Sequence, residues 1–198
     1  MNNVINKTII IIIQSFLILL TLYYAIISHE DLLISILATI TILAPYTLYF
    51  FKKKLNTVLE LLYVIFVFLS IYLGSLVGFY EQIFWWDKAL HFLSGFILIL
   101  FCYSIIINID KKYFEKNNAF LATLILFLFA SSLAGIWEII EYLMDIIFKD
   151  LYMQKGQEDT MQDIIFGNLS ALLFSIILYI HFKYKKIKII TKTLNLIK

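Results

Sequence analysis

The chain has 198 residues, of which 62% are hydrophobic and 17% aromatic, with a mean hydropathy of +0.91. A soluble domain of this length cannot bury that much apolar surface, because globular composition runs nearer half apolar, so the chain reads as an integral membrane protein. All 16 basic residues are lysine, which excludes chemistry built on bidentate arginine forks around phosphate, and a net charge of +2 points to no nucleic-acid partner.

A spanning helix needs about 20 apolar residues. Six runs qualify, at about 8–27, 32–51, 56–79, 89–109, 119–146 and 163–182. They are rich in Ile, Leu and Phe and lack the period-2 alternation of an outer-membrane barrel. Backbone polar groups in lipid must be satisfied within the segment, so each run is expected to be a helix. The first follows Lys7, carries no small-residue cleavage site and is longer than a leader's apolar core, so it reads as a retained span. In the second, Pro45 is expected to kink the helix. Trp85 and Trp86 precede the fourth span at the depth aromatic rings prefer. Cys102 lies inside that span and reads as a small core residue.

One proline and six glycines leave no linker-like stretch. The expectation is all-α: a polytopic transmembrane bundle of six helices forming one integral membrane domain over 1–198. Lysine placement sets its orientation. With the N-terminus inside, every lysine falls on the inner side except Lys88, Lys149 and Lys155, while the acids lie outside except Glu60, Asp110 and Glu115. The expected location is the plasma (inner) membrane, multi-pass, with N-terminus and C-terminus cytoplasmic.

This orientation gathers three acidic clusters at the outer ends of the last three spans. Asp87 and His91, four residues apart, share a helix face, with Ser94 and Gly95 continuing it. The pair suits a metal ligand set, a base with its orienting carboxylate, or an interfacial aspartate beside a capping histidine. Glu138, Glu141 and Asp145 form an acidic stripe on the fifth span. Stacked carboxylates repel, so the stripe needs a cation, protons or open water. Asp159 and Asp163 head the sixth span, where the helix macrodipole favours acids by about 0.3–1 kcal/mol each. Gly167 and Ser170 extend that face and would seat the helix against a neighbour. His29, Glu30 and Asp31 make a short polar outer turn.

Together Asp87, His91, Glu138, Glu141, Asp159 and Asp163 offer an oxygen-rich ligand set with a single nitrogen. Such a set suits a divalent metal such as Mg, Mn, Fe or Zn. Asp87, His91 and Glu138 are the candidate catalytic groups. No Gly-x-Ser-x-Gly elbow, His-Glu-x-x-His pair or phosphate-binding glycine loop is present. Three functions stay open. One is metal-dependent hydrolysis or transfer on a lipid or envelope-precursor headgroup. The second is a cation- or proton-coupled transporter, which would need polar groups past the bilayer middle. The third is a non-catalytic envelope protein with its acids paired to lysine or solvent.

At these residues the chain resembles the YjdF family of uncharacterised bacterial inner-membrane proteins. Its Asp-Lys-x-x-His-Phe-x-x-Gly element reads Asp87-Lys88-Ala89-Leu90-His91-Phe92-Leu93-Ser94-Gly95. The Tyr/Trp-Glu-x-x-Glu element reads Trp137-Glu138-Ile139-Ile140-Glu141, and the late Asp-x-x-x-Asp element reads Asp159-Thr160-Met161-Gln162-Asp163. A more distant likeness to VanZ-like membrane proteins rests on the Asp-Lys-x-x-His start and the late aspartate. This chain departs from the YjdF pattern at Gln154-Lys155-Gly156-Gln157-Glu158, where a glycine-rich loop with tryptophan is usual, and at Ser170, usually glycine. The resemblance implies six helices and a shared outer site, and brings no activity with it.

Overall fold

The computed structural model describes residues 2–27, 32–50, 56–116, 118–148 and 153–197. His29–Asp31, Lys52–Lys54 and Lys149 fall outside them. The described residues are mostly helical, without strands, and the chain falls into two compact units, Met1–Trp86 and Asp87–Lys198.

The first unit holds α1 (Asn2–Ile27), α2 (Leu32–Phe50) and α3 (Thr57–Val67), which runs on as a π-helical segment Phe68–Leu76, and the short α4 (Phe79–Gln82). Asn56 caps α3, its side chain accepting the Val58 N–H at 2.9 Å. In the π segment the turn is one residue wider, so the Val77 N–H reaches the Tyr72 carbonyl at 2.9 Å. Gly78 ends it with φ +82°, a left-handed conformation that glycine adopts without a Cβ clash.

Ile10, Leu17, Ala38, Ile42, Val64, Val67 and Tyr72 form this unit's core. Within it a buried phenol finds its partners on the neighbouring helix, as a dry interior favours. The Tyr72 hydroxyl bonds Thr21 Oγ1 and donates to the Leu17 carbonyl at 2.7 Å. Pro45 lies inside α2 and lacks the N–H that would reach the Thr41 carbonyl one turn back. Tyr63 of α3 makes up for it, its hydroxyl donating to Thr41 O at 2.7 Å.

The second unit holds α5 (Trp86–Ile109), α6 (Tyr113–Lys116), α7 (Ala119–Ile147), α8 (Gln157–Lys183) and α9 (Lys188–Leu196). α7 and α8 pack as an antiparallel pair. α7 buries Ala122, Leu126, Ala130, Ala134 and Glu138, one residue every turn. α8 buries Asp163, Gly167, Ser170, Ala171, Phe174, Ser175, Leu178 and His181. At Gly95 of α5 an added Cβ would collide with the Gly167 carbonyl oxygen and Ser170 Oγ. At Gly167 it would sit 3.5 Å from both Ala134 Cβ and the His91 carbonyl oxygen. Small residues thus let α5 and α7 each pack closely on α8 around Gly167. Toward the other end Tyr103, Phe114 and Phe182 stack, with Tyr103–Phe114 centroids 4.6 Å apart and Phe114–Phe182 centroids 5.1 Å apart.

Two expectations need correction. Six spans are expected, but five helices among the described residues are long and apolar enough to cross a membrane: Lys7–Ile27, Thr57–Leu76, Trp86–Ile109, Ala119–Ile147 and Gln157–Lys183. The expected span at 32–51 forms α2 (Leu32–Phe50), which is not one of those five. The sixth expected span, at 163–182, begins earlier, at Gln157. Gly156, at φ +120°, turns the chain into α8, and Glu158 and Asp159 occupy its first turn, where the macrodipole favours acids.

Replacing Tyr63 with Phe should strand the Thr41 carbonyl. The expected loss is about 0.5–1.5 kcal/mol, read as a lowered unfolding midpoint of the purified protein in detergent.

Candidate functional site

The site forms one turn beyond the close approach of the three helices. His91 precedes Gly95 by four residues, Asp163 precedes Gly167 by four, and Glu138 follows Ala134 by four. Because α7 runs antiparallel to α8, all three steps lead toward the same end of the second unit.

One ligand atom each from Asp87, His91 and Asp163 lie within 4.8 Å of one another. His91 Nε2 is 3.5 Å from Asp87 Oδ1 and 3.7 Å from Glu138 Oε1. Ligand atoms held about 2.1 Å from one ion lie roughly 3.0–3.4 Å apart when adjacent and about 4.2 Å when opposite. The Asp87, His91 and Asp163 ligand atoms therefore need only small inward movement to share a cation, with Glu138 beside His91. His91, Glu138 and Asp163 are 8%, 4% and 2% exposed.

Neither carboxylate oxygen of Glu138 has a hydrogen-bond partner, nor does Asp163 Oδ1. The Gln154 amide beside Glu138 donates at 3.0 Å to that residue's backbone carbonyl instead. Buried carboxylate oxygens without partners carry a desolvation cost that only a cation, a proton or a ligand can offset. Lys88 is the nearest positive charge. It forms an ion pair with Asp159 and lies 3.8 Å from Asp163 Oδ1. Lys88 and Lys155, the second of which also acts on Asp87, leave Asp87, Glu138, Asp159 and Asp163 in excess. An oxygen-rich, negative, half-dry pocket with one imidazole fits a hard or borderline divalent cation.

The expected residues thus divide. Asp87, His91, Glu138 and Asp163 come together. Asp159 stands beside them, engaged by Lys88. Glu141 is turned to its own helix, where it accepts the Trp137 indole N–H at 2.6 Å. Asp145, further along the same stripe, accepts the backbone N–H groups of Met153 and Gln154 at 2.8 and 2.9 Å and clamps the α7–α8 connection. Ser94 donates to the His91 carbonyl at 2.7 Å, within its own helix. Lys88 and Gln154 were not among the residues singled out for the site. Lys88 had a signal, lying beside Asp87 at the start of the span as one of the few lysines at the acidic end. Gln154 had none, because its reach depends on the clamped loop.

Replacing Asp145 with Ala removes the acceptor for both loop amides. Amide exchange at Met153 and Gln154 should speed up about ten-fold or more by hydrogen-exchange mass spectrometry, with α5 unaffected.

A protein of Thermotoga maritima named "Uncharacterized protein" is 39% identical over 113 residues, 57% of this chain and 57% of that relative. The chain thus spans little more than half the length of the curated relative it matches. No solved structure matches it. Residues 9–184 match the family described as "Predicted membrane protein (DUF2238)". With its apolar helices and the match running through all three acidic elements, the chain belongs to the DUF2238 family of membrane proteins.

Proposed function

We propose that this protein is a metal-dependent hydrolase or transferase working at the membrane surface on the headgroup of a lipid or envelope precursor. Asp87, His91 and Asp163 would hold a divalent cation (Mg, Mn, Fe or Zn), and Glu138 would serve as the general base. The supporting observation is the meeting of the Asp87, His91 and Asp163 ligand atoms within 4.8 Å, beside buried Glu138 oxygens that have no other partner. A bound cation supplies positive charge against headgroup oxygens and acidifies a coordinated water. Glu138 would take up a proton at its free carboxylate. Lys88 would hold Asp159 at the rim and limit the negative charge that an anionic headgroup meets. Gln154 and the Asp145 clamp would fix the loop beside Glu138. Lysine placement in the second unit supports a cytoplasmic C-terminus and a site facing outward from the plasma membrane. The motif likeness to the YjdF family, and the more distant one to VanZ-like proteins, belong to the same reading.

A second reading, a cation- or proton-coupled carrier, rests on the buried face of α8. There Asp163, Ser170, Ser175 and His181 follow one another along the helix, and Ser175 Oγ has no hydrogen-bond partner. Labelling of cysteines introduced at Ser170 and Ser175 by a membrane-impermeant thiol reagent separates the two, because a carrier exposes both positions to water and a surface enzyme neither.

Purified native protein should carry about one equivalent of divalent metal by elemental analysis, and Asp163→Asn should lower its affinity at least ten-fold while the protein stays folded. A native protein that takes up no divalent metal under any loading condition would falsify this reading.

A further inference from the structure

The far end of the second unit carries a different surface. α9 lies after a four-residue connection from the membrane-spanning α8, and both of its ends are fixed. At its start the Ile187 N–H donates to Nδ1 of buried His181 at 2.9 Å. At its end the Ile197 carbonyl accepts the Ser104 hydroxyl of α5 at 3.0 Å. Ile190, Leu194 and Ile197, spaced at helical intervals, are buried beneath it. α9 is therefore a docked platform rather than a loose lysine tail.

Its outer face is basic. Lys186, Lys188, Thr191, Lys192, Asn195 and Leu196 line an open cleft of about 600 Å3. Lys188 and Lys192 stand one turn apart on α9, and the Lys186 ammonium sits 5.7 Å from the Phe182 ring centroid. No aspartate or glutamate follows Asp163 in the sequence, so α8 beyond its second turn and the whole of α9 bring no acid to this face. Beside the lysines, Ile189 is 71% exposed and Leu196 52% exposed. Apolar side chains next to a basic cleft, on a helix following a membrane span, match the boundary between headgroups and acyl chains.

We propose that α9 and the α8–α9 turn form a binding site for the phosphate headgroup of an anionic phospholipid. Lys186, Lys188 and Lys192 bind the phosphate, Thr191 and Asn195 offer hydrogen bonds, and Ile189 and Leu196 meet the acyl chains. Lipid is favoured over free phosphate because the apolar pair has no use for an inorganic ion. The site is separate from the acidic pocket and stands whether or not that pocket binds metal.

The test uses full-length protein in nanodiscs of phosphatidylcholine containing a minor fraction of phosphatidylglycerol, with retained lipid counted by native mass spectrometry. Phosphatidylglycerol should be enriched on the native protein. K188Q/K192Q should lower its retention about ten-fold, and K188R/K192R should keep it, which separates loss of charge from loss of fold. K111Q/K112Q, removing two exposed lysines near the end of α5, should change retention less than about two-fold. Equal losses from both glutamine pairs would mean general surface charge and overturn the site. So would unchanged retention in K188Q/K192Q, or displacement of the lipid by inorganic phosphate.

Discussion

The close approach of α5, α7 and α8 at Gly95, Ala134 and Gly167 is the constraint on which the rest of the second unit depends. In lipid, helices gain little by burying apolar surface against each other, since the surrounding tails are just as apolar. What holds them is close packing, and a glycine facing a glycine lets backbones approach where any side chain would hold them apart. The polar residues a turn away have no independent reason to meet. They meet because the helices bearing them have already been drawn together. The depth of the small residues thus sets the depth of the acidic pocket, and a bulky residue at Gly95 would act on the pocket without touching it.

Much of this was legible in the sequence, and the legible part was spacing. Asp87 with His91, and Asp163 with Gly167 and Ser170, lie on shared faces that four-residue steps reveal. What spacing could not reveal was rivalry for partners. Glu138, Glu141 and Asp145 look like one stripe, yet they go to three destinations: a buried pocket, an indole on the same helix and a pair of loop amides. Each outcome depends on a neighbour's reach rather than on the stripe. Hydropathy counts six apolar runs, while five helices among the described residues are long and apolar enough to cross a membrane. α9 was hidden because its buried Ile190, Leu194 and Ile197 are interleaved with lysines, and so the segment reads as a basic tail.

The second unit is electrically divided along its length. Carboxylates crowd one end of α5, α7 and α8, and lysines the other, with aromatic stacking and small-residue contacts between. The lysine end suits anionic lipid, and the acidic end a cation. The same division sorts the chemistry available at each end.

In the first unit, Tyr63 answers the carbonyl that Pro45 leaves open on α2. The proline makes a vacancy at one level of one helix, and the phenol comes from one position on another. Sliding α3 along α2 by a single turn, about 5.4 Å, would empty that vacancy and bury a hydroxyl with nothing to bond. A residue that ordinarily disrupts helices thus acts here as a register pin, fixing the axial alignment of two otherwise slippery hydrophobic rods.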